Sequence, residues 1–133
     1  MNYFIDTNII IYAIKGNYPN IMEKFKSTPS FEIMIPSIVS AELEYGAKKS
    51  SDYQKTIEVY RKFLSIYKVV PFTENEIEIY GDIRSELEKG GNMIGANDLL
   101  IASIVLSYNG ILVTHNVGEF ARIKKLKIED WTL

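Results

Sequence analysis

The chain has no cysteine, and its only histidine is His115. The first absence excludes a disulfide framework and any cysteine-ligated zinc site. The second excludes a multi-histidine metal site and catalysis by a pair of histidines. Any metal the protein uses must therefore be held by oxygen, which favours Mg²⁺ or Mn²⁺. Long apolar runs are also missing. The densest, Leu99 to Leu106, is too short to span a bilayer. The opening Met1-Asn2-Tyr3-Phe4-Ile5-Asp6 lacks the basic start and apolar stretch of a signal peptide. These absences predict a cytoplasmic protein with no membrane partner. Repeats, low-complexity segments and linkers are absent too, so the 133 residues are expected to form a single domain, 1–133.

An excess of positive charge is lacking as well. Fifteen basic residues against 17 acidic ones leave a formal charge of −2, and a nucleic-acid binder is usually more basic. An acidic metal pocket would subtract charge locally while basic residues line its rim. Lys48, Lys49, Lys55, Arg61, Lys62, Arg122, Lys124, Lys125 and Lys127 are candidates for that rim, and each is equally an ordinary solvated charge. With 47% apolar and 24% charged residues, the composition is that of a folded chain and not a disordered one.

What is present is an alternation of short apolar runs and amphipathic stretches. It predicts an α/β fold, three-layered α/β/α, with a short central parallel sheet flanked by helices. Strands are expected at Tyr3 to Ile5, Ile33 to Ile35, Tyr67 to Val70, Ile111 to Val113 and Leu126 to Ile128. They are dense in apolar residues and do not alternate with polar ones, as a sheet covered on both faces requires. Helices are expected from Asn8 to Ile14, closed by Lys15-Gly16, and from Pro19 to Lys26. Another follows from Ser37, read as an N-cap, to about Lys48, and one runs from Tyr53 to Tyr67 with Ile57, Tyr60, Phe63, Leu64 and Tyr67 as its apolar stripe. Thr73-Glu74-Asn75-Glu76 resembles a capping box opening a helix to about Lys89, which Gly90-Gly91 ends. Asn97 is read as the cap of a helix over Asp98 to Tyr108, and a short helical turn is expected near Glu119-Phe120.

Ligands of open α/β sheets sit beyond the carboxyl ends of the strands. Asp6 follows the first strand directly, and Thr114-His115-Asn116, with Glu119 a turn later, follows the fourth. Asp98 opens the helix before that strand, and Glu42 lies early in the helix after the second. In this assembly Asp6, Glu42, Asp98 and Glu119 meet at one end of the sheet. Converging carboxylates repel one another, and a divalent cation removes that penalty. Such an ion can activate a water and stabilise charge on a phosphate during in-line attack. Each acid also has a plainer reading. Asp6 could cap the following helix, Glu42 could be a solvated helix glutamate, Asp98 could favour a helix dipole, and Glu119 could be an ordinary surface residue. Periodicity alone does not choose between these.

Several motifs, in order, carry a resemblance over nearly the whole chain. They are Ile5-Asp6-Thr7-Asn8-Ile9-Ile10-Ile11-Tyr12, Ser40-Ala41-Glu42-Leu43-Glu44-Tyr45-Gly46-Ala47, and Tyr80-Gly81-Asp82-Ile83-Arg84 with Leu87-Glu88. Ile94-Gly95-Ala96-Asn97-Asp98-Leu99-Leu100-Ile101-Ala102 follows, then Leu112-Val113-Thr114-His115-Asn116 with Glu119-Phe120, and finally Glu129-Asp130-Trp131. Together they resemble the PIN-domain family, in particular the VapC-type toxins of bacterial type II toxin–antitoxin pairs. The resemblance implies a Mg²⁺- or Mn²⁺-dependent endoribonuclease that cleaves tRNA or ribosomal RNA. It also implies a homodimer and a VapB-type antitoxin that lays a segment near the acids. It places Asp6 and Asp98 as the most direct metal ligands, Glu42 as a further acid, and Thr7, Asn8, Thr114 and Asn116 as hydrogen-bonding support. Arg84 becomes a candidate substrate or site-shaping residue. The chain departs from the family pattern twice. Asn116 stands where many members carry aspartate, so Glu119 is read as the substitute acid. His115 stands where this branch usually has asparagine, and is read either as an RNA or phosphate contact or as a neutral polar replacement.

Two other readings compete. One is a PIN scaffold that only binds an antitoxin or a DNA-bound partner, though such a scaffold has no need of four acids. The other is a phosphotransfer domain using Asp6 as phosphoacceptor. It lacks the paired acids beside the first strand, and Asp6-Thr7-Asn8 lacks the second aspartate of a haloacid-dehalogenase-type motif.

Overall fold

The structure, a computed structural model, describes residues 1–133. Its first strand, β1 (Tyr3–Ile5), runs through Asp6 into α1 (Thr7–Lys15). Gly16, at φ 70°, closes α1 in the left-handed conformation that a side chain would resist. Next come α2 (Pro19–Ser27), β2 (Ile33–Pro36), α3 (Ser37–Lys49), α4 (Tyr53–Leu64) and β3 (Lys68–Val70). The second half of the chain supplies α5 (Ile77–Lys89), α6 (Ala96–Ser107), β4 (Ile111–Val113), α7 (Val117–Phe120) and β5 (Lys127–Glu129).

All strand pairings are parallel, in the order β3-β2-β1-β4-β5. The chain builds outward from β1 through β2 to β3, then returns to the other side of β1 and builds β4 and β5. The neighbours β1 and β4 thus straddle the point where the winding reverses, the place at which open α/β sheets bind their ligands. Helices cover both faces of the sheet, so Phe4, Ile5, Ile111, Leu112 and Val113 are all buried. A continuous apolar core joins these to Ile9, Ile10, Leu43, Leu99, Ile101 and Trp131.

Three boundaries differ from the expectation, each for a local reason. Ser37 is the first residue of α3 and not its cap. Pro36 occupies the cap position at φ −60° and ψ 139°, after pairing with Val70 as the last residue of β2. Proline's fixed φ lets the strand turn straight into the helix. Asn97 is likewise inside α6, with Gly95 in the cap position. Its amide is turned to Glu42 instead. Finally, α4 stops at Leu64 and not Tyr67. Ser65 tightens onto the Lys62 carbonyl and Tyr67 onto that of Leu64, freeing Lys68 to enter β3. The Thr73–Glu76 capping box is present, and it opens a 3-10 turn (Glu74–Glu76) that runs on into α5.

Candidate active site

Asp6 leaves β1 at the switch point, its own N–H donating to the Val113 carbonyl at 2.9 Å. It caps α1, since its Oδ1 accepts from the Thr7 N–H at 2.9 Å. Its other oxygen accepts from the Thr114 hydroxyl, from the end of β4, at 2.7 Å. Thr114 is wholly buried and Asp6 only 7% exposed. The capping role and the site role are therefore compatible, one oxygen for each. Burial pushes the Asp6 carboxyl above its usual range. The bonds from Thr114 and Thr7 pull it back, and the charges of Glu42 and Glu119 push it up further.

The other acids are tied to Asp6 by a circuit of hydrogen bonds. The Thr7 hydroxyl donates to Glu42 at 2.7 Å, so one threonine holds two of the acids. Asn97 Nδ2 reaches the second oxygen of Glu42 at 3.5 Å. On the far side, the Thr114 hydroxyl accepts from the Asn116 N–H at 3.0 Å, and Asn116 Nδ2 donates to Glu119 at 2.7 Å. The Gly95 N–H donates to the other Glu119 oxygen at 2.9 Å. The circuit closes through the start of α6, where Gly95, Asn97 and Asp98 are near neighbours in sequence.

Asp98 occupies the third position of α6, where the helix dipole favours a carboxylate. Its neighbours outweigh that preference. Burial, a hydrogen bond shared with Glu119, and the charges of Asp6, Glu119 and Glu42 raise the Asp98 carboxyl to about 7. Glu119 moves the opposite way, held below its usual range first by the Gly95 N–H, then by the Asn116 amide, with Arg122 adding a favourable charge. The two titrate as an interacting pair, Asp98 pushed up and Glu119 held down.

The donor set is entirely oxygen, and its members crowd one another enough to displace titrations. Both properties suit a hard divalent cation. No three of the acids are placed to hold one ion together. Mg²⁺ asks for fewer, since it keeps much of its water and binds through one or two carboxylates plus a phosphate.

The remaining candidates divide. Thr7, Thr114 and Asn116 are the joints of the circuit. Asn8 is exposed and bonds to none of the acids. Arg84 lies on α5, where it bonds to the Tyr80 hydroxyl at 2.8 Å and Glu88 at 3.1 Å and to no site residue. Of the proposed basic rim, Arg122 alone is among the charges that shift a site carboxyl, and its guanidinium is anchored on the Met93 carbonyl at 2.8 Å. Lys48 lies over the Tyr53 ring, Lys49 over Tyr45, and Arg61 pairs with Glu44. Gly95 and Asn97 were not foreseen as site residues. The only sequence signal was their place beside Asp98.

His115 bonds to none of the four acids. Its Nδ1 lies 3.0 Å from Asp130 Oδ2 and 3.2 Å from the Thr132 hydroxyl. The Glu129-Asp130-Trp131 motif acquires a structural meaning here. The Glu129 carbonyl accepts from the Thr114 N–H at 3.0 Å, and its carboxylate accepts from Trp131 Nε1 at 3.0 Å. Asp130 holds His115, and Trp131 is buried against Tyr3 and Phe25.

A parallel 3-2-1-4-5 sheet with four linked acids at its switch point defines a PIN-type site. The PIN domain family model matches residues 3–126. Over 98% of both chains the protein is 42% identical to Ribonuclease VapC2 of Rickettsia felis. It is 35% identical to the tRNA(fMet)-specific endonuclease VapC of Salmonella typhimurium, again over 98% of each. The VapBC-1 structure from nontypeable Haemophilus influenzae superposes over 100% of both chains with a TM-score of 0.91 at 39% identity. The chain belongs to the PIN-domain family, in its VapC ribonuclease branch.

Proposed function

We propose that this chain is an endoribonuclease toxin that hydrolyses RNA, a tRNA or ribosomal RNA, with Mg²⁺ or Mn²⁺, and that a VapB-type antitoxin silences it. The observation that carries this reading is the hydrogen-bonded circuit that links Asp6, Glu42 and Glu119 beyond β1 and β4, with Asp98 set against them closely enough to be shifted by all three. A scaffold that only bound a partner would gain nothing from threonine, asparagine and backbone donors spent on holding mutually repelling acids together. The similarity to a tRNA endonuclease and to a VapBC structure supports the substrate and the partner. The protein acts in the cytoplasm as a homodimer. No helix is long and apolar enough to cross a membrane.

In this reading Asp6 and Asp98 would hold the ion, with Glu42 and Glu119 binding it directly or through water. When bound, the ion lowers the pKa of a water and stabilises charge on the phosphate. The chain's own contribution is positional. Thr114 and Thr7 fix both oxygens of Asp6, each of which keeps a further lone pair for an ion. Asn116 and Gly95 keep Glu119 ionised, ready to orient a water and accept its proton. These contacts are made before substrate arrives, so little reorganisation is required during the reaction.

The decisive measurement is RNA cleavage with Mg²⁺ or Mn²⁺ by wild type, Asp6→Asn and Asp98→Asn. Each substitution is expected to lower the rate at least a hundredfold. Wild-type protein that binds metal yet leaves varied structured RNAs intact would overturn the activity. Variants as active as wild type would overturn the site.

A further inference from the structure

Three rings cluster around the loop that follows β4, and none of them bonds to the acids. The centroids of Tyr12 and Tyr18 lie 5.0 Å apart, that of His115 lies 6.1 Å from Tyr12 and 5.8 Å from Tyr18, and the three are edge-on or tilted to one another. The imidazole is 45% exposed, whereas the Asp130 carboxylate that holds it is 11% exposed. Asp130 is itself fixed by the Thr132 N–H at 3.0 Å and the Thr132 hydroxyl at 2.8 Å. A nearly buried carboxylate and two tyrosines thus fix the plane and tautomer of one exposed ring. Its Nδ1 is engaged, while Nε2 has no partner in the protein.

The position of this ring gives it a use. His115 lies between Thr114, bonded to Asp6, and Asn116, bonded to Glu119. Each is a single residue away, about 3.8 Å between Cα atoms. Along α1, Asn8, Tyr12 and Lys15 share one face by helical spacing. Asn8 adjoins Thr7, which holds two of the acids, and Lys15 is an exposed cation at the far end. An amide, an aromatic cluster and a cation therefore lead outward from the carboxylates.

We propose that His115 is a substrate-binding residue: its exposed face stacks an unpaired base beside the scissile phosphate, and its free Nε2 hydrogen-bonds that nucleotide. Tyr12, Tyr18 and Asp130 are positioning residues that brace the ring. Such stacking needs an unpaired base, because a base stacked in a helix has no free face to offer. The inference rests on the ribonuclease reading above. The same bonds also tie the C-terminal segment to the loop after β4, so a test must read stacking and not only stability.

The test uses Asp98→Asn protein, which holds RNA without cutting it, a hairpin carrying 2-aminopurine in its loop, and a blunt duplex of the same composition. The expected result is quenching of loop fluorescence on binding, lost with His115→Ala together with about tenfold or more of loop affinity, and unchanged weak duplex binding. His115→Phe restores the quench. In the cutting protein, His115→Ala raises KM more than it lowers kcat. Should His115→Ala fold poorly by thermal melting, His115→Asn, which keeps a donor for Asp130 but has no aromatic ring, replaces it with the same expected loss. Undiminished quenching and loop affinity in the ring-less variant overturn the assignment. Binding is read in a protein that does not cut. A wild type that cleaves no RNA therefore defeats the ribonuclease reading alone, and the His115 assignment is decided separately.

Discussion

Asp98 shows how neighbours override a residue's local preference. A carboxylate in the first turn of a helix is ordinarily favoured in its charged form. In this fold, burial and three nearby acids raise it to about 7 from 3.8. Between about pH 4 and 7 the folded chain therefore keeps a proton that the unfolded chain has released. Stability must fall as pH rises through that window and level off above it. Asp6, also raised, adds to the fall. Glu119, held low, opposes it only below its ordinary range, by losing stability as pH drops there. Metal-free protein is thus expected to melt at a lower temperature at pH 7.5 than at pH 5. Mg²⁺ should raise the melting temperature at pH 7.5, and Asp98→Asn should flatten the pH dependence while stabilising the metal-free chain by a few degrees. Calorimetry in chelator checks this, and an unchanged pH dependence in Asp98→Asn would count against Asp98 as its source. These shifts were not legible in the sequence, because each cause is a neighbour supplied by a different element.

Element boundaries were legible where the signal is covalent or local. Lys15-Gly16 closes α1 as its order suggested, and Thr73 and Glu76 form the capping box that their spacing implied. What the spacing did not disclose is that buried Glu76 also accepts from Ser107, at 2.7 Å, tying the entry to α5 to the end of α6. Asn97 shows the reverse. Its type suits a helix cap, yet tertiary contact with Glu42 claims it and the cap falls to Gly95. Gly110, between α6 and β4, gains its importance from packing. A Cβ there would lie 2.6 and 2.8 Å from the Phe4 ring and 3.0 Å from the Asn2 carbonyl. Phe4 is fully buried, so the ring has little room to yield. Gly110→Ala is expected to cost about 1–3 kcal/mol, seen as a lower urea midpoint at unchanged slope. A midpoint equal to wild type would mean that β1 and the loop before β4 can part without penalty.

At the scale of the whole molecule, the strand order makes the site. Acids from four segments meet because the winding reverses between β1 and β4, leaving their carboxyl ends side by side. The C-terminal motif helps to hold that arrangement, since Trp131 packs on Tyr3 of β1 and Phe25 of α2 while Asp130 beside it grips His115. Trp131→Ala should therefore cost about 3–5 kcal/mol. It should also weaken RNA cleavage despite leaving every carboxylate in place. A variant that melts far below wild type but cleaves at the full rate when folded would show that the tail braces the core and not the site. The sequence by itself determined the class of fold, because runs of buried apolar residues alternating with amphipathic helices have few other ways to hide their surface. It also narrowed the chemistry on offer, because a chain with no cysteine and one histidine must hold any metal mainly through oxygen. Tertiary structure decided the rest. It chose the hydrogen-bond partners that hold the acids, the opposite directions in which Asp98 and Glu119 are shifted, and which basic residues are engaged elsewhere. It also paired His115 with Asp130. Each of these depends on distances between segments far apart in sequence, and only the packed sheet sets those distances.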